Sequence, residues 1–390
     1  MDNFYDVIVV GAGPAGSMAA MEASKEGAKT LLLEKHPEIG RPICCAEGIT
    51  AFGLERVIKP RPEWISTRVV GAVIEGPSGA KLTFYHQGAG YVLNRDTFDA
   101  GLAQLASDSG AQIEVSAPAV SLKLKGENIE SVTVNQNGAT REIGARIVVA
   151  ADGVESRIAH FAGLDTHTDP WGIDTACQYL IEGLEFKEML IALVVGNEVA
   201  PGGYAWIFPK SEKSANVGVA ISPARSNGEN ARVFLDRFIK DRYPECRKVG
   251  IMMGGTPIFD KGLPLVKGNL MVVGDAARVL DSLSGAGISN AMLSGSIAGS
   301  VAAKSLRQEA RLIDYQVEFM KLKSRELNAY KLFRTMLVRA SDDEFEQVIH
   351  ALDDFFPEKK VQDIDVPDII LKLIFRNPGL FKLARYLVTK

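Results

Sequence analysis

The residues with the plainest chemical assignment come early. Gly11-Ala12-Gly13-Pro14-Ala15-Gly16 is a G-x-G-x-x-G run lying between an apolar stretch, Asp6 to Val10, and an Ala- and Met-rich stretch, Ser17 to Glu26. In that position the first glycine permits a tight turn and the second lets backbone approach a pyrophosphate. The third allows a helix to pack against the strand, and the helix N-terminus faces the anion. Glu34 closes the next apolar run, Thr30 to Leu33, where a carboxylate accepts hydrogen bonds from ribose hydroxyls. Two later strand ends carry the same punctuation, Asp152-Gly153 and Gly274-Asp275, the second followed by Gly285-Ala286-Gly287-Ile288. Together these predict a bound dinucleotide.

A second group is aromatic. In Pro201-Gly202-Gly203-Tyr204-Ala205-Trp206-Ile207-Phe208-Pro209, the three rings at 204, 206 and 208 alternate, so on a strand they share one face. Such a face is either an ordinary sheet core or the wall of an apolar tunnel, where ring quadrupoles steady developing positive charge.

The elements that must position these residues follow from periodicity. Asp6–Val10, the Ser17–Glu26 helix and Thr30–Leu33 make a βαβ unit. Arg146–Ala151 and Leu270–Val273 read as further buried strands, Thr97–Ser109 as a helix, and Ile113–Val134 as strands around a Gly-Glu-Asn turn. The fold class expected is α/β: a discontinuous Rossmann-like domain over 1–66, 95–170 and 260–304, and a β-rich substrate domain over 67–94 and 171–259. A helical region occupies 305–390. The uncharged stretch Ser284–Ala303 holds four glycines, five serines and an Asn, too polar for a membrane span and expected to be a buried helix.

The order and spacing of the glycine and Asp-Gly motifs resemble the flavin-dependent family typified by aromatic hydroxylases, in which the cofactor is FAD. That resemblance implies Gly11, Gly13, Ala15, Gly16, Glu34, Ala119, Asp275, Gly287 and Ile288 as cofactor contacts. Arg95, in Asn94-Arg95-Asp96-Thr97-Phe98-Asp99, matches the family's arginine at a helix start.

Within that family, Arg41-Pro42-Ile43-Cys44-Cys45-Ala46-Glu47-Gly48 resembles the P-x-x-C-x-E-G segment of archaeal-type geranylgeranyl reductases. It implies Cys45, Ala46 and Gly48 against the flavin. Pro201–Pro209 matches that family's P-x-x-Y-x-W-x-F-P without a gap, while Ala220 in Gly218-Val219-Ala220 stands where the family has a second glycine. The implied reaction saturates isolated double bonds of geranylgeranyl chains in an ether-lipid precursor such as digeranylgeranylglyceryl phosphate, in membrane phospholipid biosynthesis. No carbonyl polarises such an alkene, so a hydride from reduced flavin must be paired with a proton. Cys45 is the candidate donor: a thiol of pKa about 8.5 is largely protonated at neutral pH. The plainer reading of Cys45 is a small apolar space-filler. Tyr204 and Trp206 are the other catalytic candidates, and Tyr204, Trp206 and Phe208 the substrate-binding ones.

Composition narrows the rest. With 46% apolar and 24% charged residues the chain is an ordinary globular one, and a net charge of −4 argues against a nucleic-acid partner. Four cysteines make no disulfide framework, which together with the lack of a targeting segment points to a reducing cytoplasm. No metal site is expected from five scattered histidines, and an electron-transfer dehydrogenase would want a four-cysteine cluster. The alternatives are a flavin-dependent aromatic monooxygenase and a non-catalytic prenyl-lipid carrier. The expected partners are a prenylated lipid and an external electron donor (nicotinamide, deazaflavin or ferredoxin). From Ile369 onward the chain carries Lys372, Arg376, Lys382, Arg385 and Lys390 and no acid, so it is either a peripheral membrane contact or a helix packed on the protein.

Overall fold

Val7, Ile8, Val9 and Val10 form an unbroken apolar run, which tolerates burial on both faces and forms the centre of a parallel sheet. In the computed structural model, which describes residues 3–136, 138–356, 368, 372 and 378–387, this first strand is Phe4–Val10. It pairs in parallel with Thr30–Leu33 on one side and with Ala139–Ala150 on the other, Val9 lying opposite Leu32 and Val149. Leu270–Val272 extends the sheet beyond Ala139–Ala150, and Gln112–Glu114 extends it beyond Thr30–Leu33, both in parallel. The hairpin Ala119–Lys125 and Asn128–Gln136 joins Ala139–Ala150 in antiparallel fashion.

Two helices cover this sheet's nucleotide end, Pro14–Lys25 and Ile288–Leu306. They approach through glycine. A Cβ on Gly295 would stand 2.0 Å from the Ala15 carbonyl oxygen, and one on Gly299 would stand 2.2 Å from that of Ala19. The small polar residues of Ser284–Ala303 are thus a packing surface, and no helix among the described residues is long and apolar enough to cross a membrane.

By contacts the chain divides into two units, Met1–Ile43 with Arg95–His167 and Pro257–Leu327, and Cys44–Asn94 with Thr168–Thr256 and Asn328–Lys390. The second unit is built on its own sheet, in the order Arg247–Pro257, Ile173–Glu182, Ser214–Ile221, Tyr204–Ser211, Leu190–Val194, Ile65–Glu75, Lys81–Leu93, Gly48–Thr50. One face, through Cys177, Tyr179, Ile207, Val217 and Val219, packs on the helix Ala231–Arg242. The other face carries Trp206 and Phe208 with Val69 and Val92. In the C-terminal part, Leu383 and Tyr386 pack with Met336, Ala340 and Phe345. Arg385 pairs with Glu344 and Lys372 with Asp368. Lys382 is exposed on the 3-10 helix Pro378–Leu387, and Arg376 and Lys390 lie outside the described residues.

Candidate active site

The nucleotide-binding turn uses its three glycines for three reasons. Gly11 has φ +104°, and a Cβ there would lie 2.3 Å from the Ala151 carbonyl oxygen. At Gly16 a Cβ would meet the Gly11 carbonyl oxygen at 1.8 Å, whereas at Gly13 it would meet nothing within 4 Å. Glycine at 13 therefore keeps space open before the N-terminus of the Pro14–Lys25 helix, the feature a pyrophosphate needs. Glu34 is held against the turn: Oε2 accepts the Ala12 N–H at 3.0 Å and Oε1 the His36 N–H at 2.9 Å. Its carbonyl accepts the Ala117 N–H, which brings the segment leading to Ala119 alongside.

Arg95 opens its helix and grips Asp99 through Nε and Nη2, both at 2.8 Å. Asp275 sits on the short turn Gly274–Ala277, and its carboxyl accepts no hydrogen bond from any described residue. Burial pushes that carboxyl above the usual carboxylate range, and the charge of Arg95 partly offsets the shift. A Cβ on Gly287 would press on Asp275 Oδ1 at 3.1 Å, and Ile288 begins the buried helix beyond. A half-buried acid with no donor among the described residues, beside a cradle kept clear at Gly13, fits the polyhydroxyl chain and phosphates of FAD.

The second unit holds Cys45, Ala46, Gly48, Tyr204, Trp206 and Phe208. The strand Tyr204–Ser211 does put the three rings on one face, with centroids 6.1 Å apart from Tyr204 to Trp206 and 6.4 Å from Trp206 to Phe208. Cross-strand rows explain the spacing. Trp206 lies opposite Gly218, which lies opposite Gln178. A Cβ on Gly218 would stand 2.2 Å from Trp206 Cζ2, so the indole lies flat only because that residue is glycine. In the next row Tyr204 faces Ala220, and Phe208 lies over Gly48, where a Cβ would be 2.7 Å from its ring.

The Cys45 loop is fastened to this face at three points. Gln178 Nε2 donates to the Cys45 carbonyl at 2.8 Å, and Asn216 Nδ2 donates to the Ala46 carbonyl at 3.3 Å. Glu47, with φ +71° and 3% exposed, accepts Lys210 Nζ at 2.8 Å and Asn216 Nδ2 at 2.7 Å. The Glu47 N–H donates to Cys45 Sγ at 3.2 Å. Cys45 is half-buried and Cys44 exposed. Sequence reasoning missed Gln178, Lys210 and Asn216. A polar residue inside an apolar strand (Gln178, Asn216), and a lysine directly after the aromatic motif, were the available signals.

Two family models match the chain, an FAD binding domain over residues 6–75 and a geranylgeranyl reductase catalytic domain over residues 172–256. A digeranylgeranylglycerophospholipid reductase of Methanosphaerula palustris is 35% identical over 97% of this chain and 97% of its own length. The chain belongs to the geranylgeranyl reductase family. As a member it is an FAD-dependent oxidoreductase, and the matched catalytic segment contains the strand Tyr204–Ser211. A second relative, digeranylgeranylglycerophospholipid reductase 2 of Methanococcoides burtonii, is 36% identical over 91% of this chain and 89% of its own length. Among solved structures, a geranylgeranyl bacteriochlorophyll reductase-like protein from Thermoplasma acidophilum superposes with a TM-score of 0.90 at 33% identity, covering 98% of each chain. A flavin-dependent brominase, at 18% identity and TM-score 0.73 over 95% of this chain, shares the fold alone.

Proposed function

We propose that this protein saturates the isolated double bonds of geranylgeranyl chains in an ether-lipid precursor such as digeranylgeranylglyceryl phosphate. The observation that carries the reading is the unbroken aromatic wall, Tyr204, Trp206 and Phe208, tied by hydrogen bonds to the loop bearing Cys45. FAD, when bound in its reduced form, supplies the hydride. Gly11, Gly13, Gly16, Glu34, Arg95 and Asp275 would hold it. The wall excludes water and lays the prenyl chain in extended form, and the ring faces favour the carbon on which positive charge develops. Cys45 Sγ holds the proton for the other alkene carbon, and the Glu47 N–H at 3.2 Å stabilises the thiolate left behind.

Electrons come from an external donor of the nicotinamide, deazaflavin or ferredoxin class. Leu383 and Tyr386 of the basic segment pack on the protein and Arg385 pairs with Glu344, so contact with the lipid surface falls to the charges left exposed, Lys382 among them. Flotation with anionic vesicles, with and without residues 369–390, tests that contact; equal binding contradicts it. The reaction is tested by Cys45→Ser and Cys45→Ala. Both retain FAD, and both lower the rate of prenyl reduction on the order of a hundredfold or more, the scale of losing a positioned acid. Turnover within twofold of the parent removes Cys45 from the reaction.

A further inference from the structure

We infer that Gln178 is the positioning residue of the reducing site, setting the Trp206 indole and the Cys45 backbone against each other through one side-chain amide. It rests on the reductase reading above. Gln178 is 2% exposed and makes three contacts. Its Oε1 accepts Trp206 Nε1–H at 2.8 Å; its Nε2 donates to the Cys45 carbonyl at 2.8 Å and to Met252 Sδ at 3.2 Å.

The chemistry of the partners fixes the amide's orientation. An indole N–H only donates and a backbone carbonyl only accepts, so the oxygen must face Trp206 and the nitrogen must face Cys45. At neutral pH, where a glutamate of this length is ordinarily an acceptor alone, only glutamine offers an acceptor and a donor on one planar carbon at this reach. The alternation of the strand supplies the rest. Gln178, Gly218 and Trp206 occupy one cross-strand row. The missing side chain at Gly218, where a Cβ would stand 2.6 Å from Gln178 Cβ and 2.2 Å from Trp206 Cζ2, lets amide and indole meet above the sheet. On the other faces of the loop, Asn216 and Lys210 hold Ala46 and Glu47, so Gln178 alone among these polar groups reaches Cys45 itself and a ring of the wall. Gln178 is no catalytic residue; it acts through Trp206 and Cys45.

Two variants test the assignment. In Gln178→Glu the carboxylate still accepts from Trp206 but faces the Cys45 carbonyl with a second acceptor. Only its protonated form can donate there. In Gln178→Met the shape is kept and all three bonds are lost. Expected for each at pH 8 is a fall in kcat of roughly tenfold to a hundredfold, the scale of misplacing a reacting group by about 1 Å, with KM for digeranylgeranylglyceryl phosphate changed less than threefold. Activity of Gln178→Glu recovers as pH falls toward 5, whereas Gln178→Met shows no such rescue.

A readout independent of turnover is alkylation by iodoacetamide, resolved by fragment mass spectrometry. Cys45 labels at least several-fold faster in Gln178→Met, while Cys44 and the buried Cys177 keep their parent rates. Unchanged kcat with unchanged Cys45 labelling overturns the inference, and so does labelling that rises equally at Cys177, which marks general loosening. If the parent protein itself fails to reduce the lipid, the reductase reading falls, and the labelling ratio still decides for or against Gln178.

Discussion

The ammonium of Lys210 lies 2.8 Å from the carboxylate of Glu47, with the two side chains 14% and 3% exposed. Lys210 also donates to the Leu93 carbonyl and to Asn94 Oδ1, and Asn216 occupies the remaining face of the carboxylate. A buried pair so fully bonded tolerates its desolvation only while both members are present. Lys210→Met leaves an uncompensated acid and is expected to destabilise the protein by about 3–5 kcal/mol. Adding Glu47→Gln removes that charge, so the double variant should be more stable than Lys210→Met alone. Urea unfolding of the two single variants and the double one checks this, and strictly additive losses contradict it.

Gly218→Ala drives a methyl group into the Trp206 indole. Overpacking of this kind costs about 1–3 kcal/mol. The expected protein is folded and yellow, with a shifted tryptophan emission and a large loss of prenyl reduction. Parent-like turnover would show that the flat placement of Trp206 does not matter to the reaction.

The glycines at 13 and 16 should behave oppositely. Gly13→Ala meets no protein atom within 4 Å, so the fold survives and FAD retention falls. Gly16→Ala places its methyl 1.8 Å from the Gly11 carbonyl oxygen and should reduce soluble yield before any question of flavin arises. Thermal melts and flavin content of the two variants separate packing from binding. A Gly13→Ala protein that retains flavin like the parent contradicts the role given to the open space.

Asp275 links the cofactor cradle to pH. Its carboxyl is raised by burial, so the folded protein holds this proton more tightly than the unfolded chain does. Folding stability from this group is therefore greatest below the unfolded pKa, about 4, and falls as pH climbs to the raised value. In flavin-stripped protein, Asp275→Asn should gain Tm relative to the parent between pH 4 and pH 7, while its affinity for FAD drops. A Tm difference independent of pH would show that the carboxyl is not the source.

Much of this was legible in the chain. The βαβ unit could be read because each of its signals is local: an apolar run, a glycine turn, a helix, an apolar run. The one-face placement of Tyr204, Trp206 and Phe208 could be read because a strand has period two. The partners could not. Gln178 meets Trp206, and Lys210 meets Glu47, across pairings set by strand register over long sequence separations, and no spacing rule names them. Gly218 looked like one member of a departed motif, yet its reason is the indole lying across it. The glycines at 295 and 299 gave away a buried helix but not its partner, the Ala15–Ala19 face.

An anaerobic single turnover decides whether the reduced protein saturates the prenyl chain. The protein is reduced with dithionite, mixed with digeranylgeranylglyceryl phosphate, and followed by flavin absorbance and by mass spectrometry of the lipid. Flavin reoxidation without oxygen is expected, matched by a lipid mass gain of about 2 per double bond, with both signals lost together in Cys45→Ala. Flavin that stays reduced beside an unchanged lipid, and reoxidises only when oxygen is admitted, would contradict prenyl reduction.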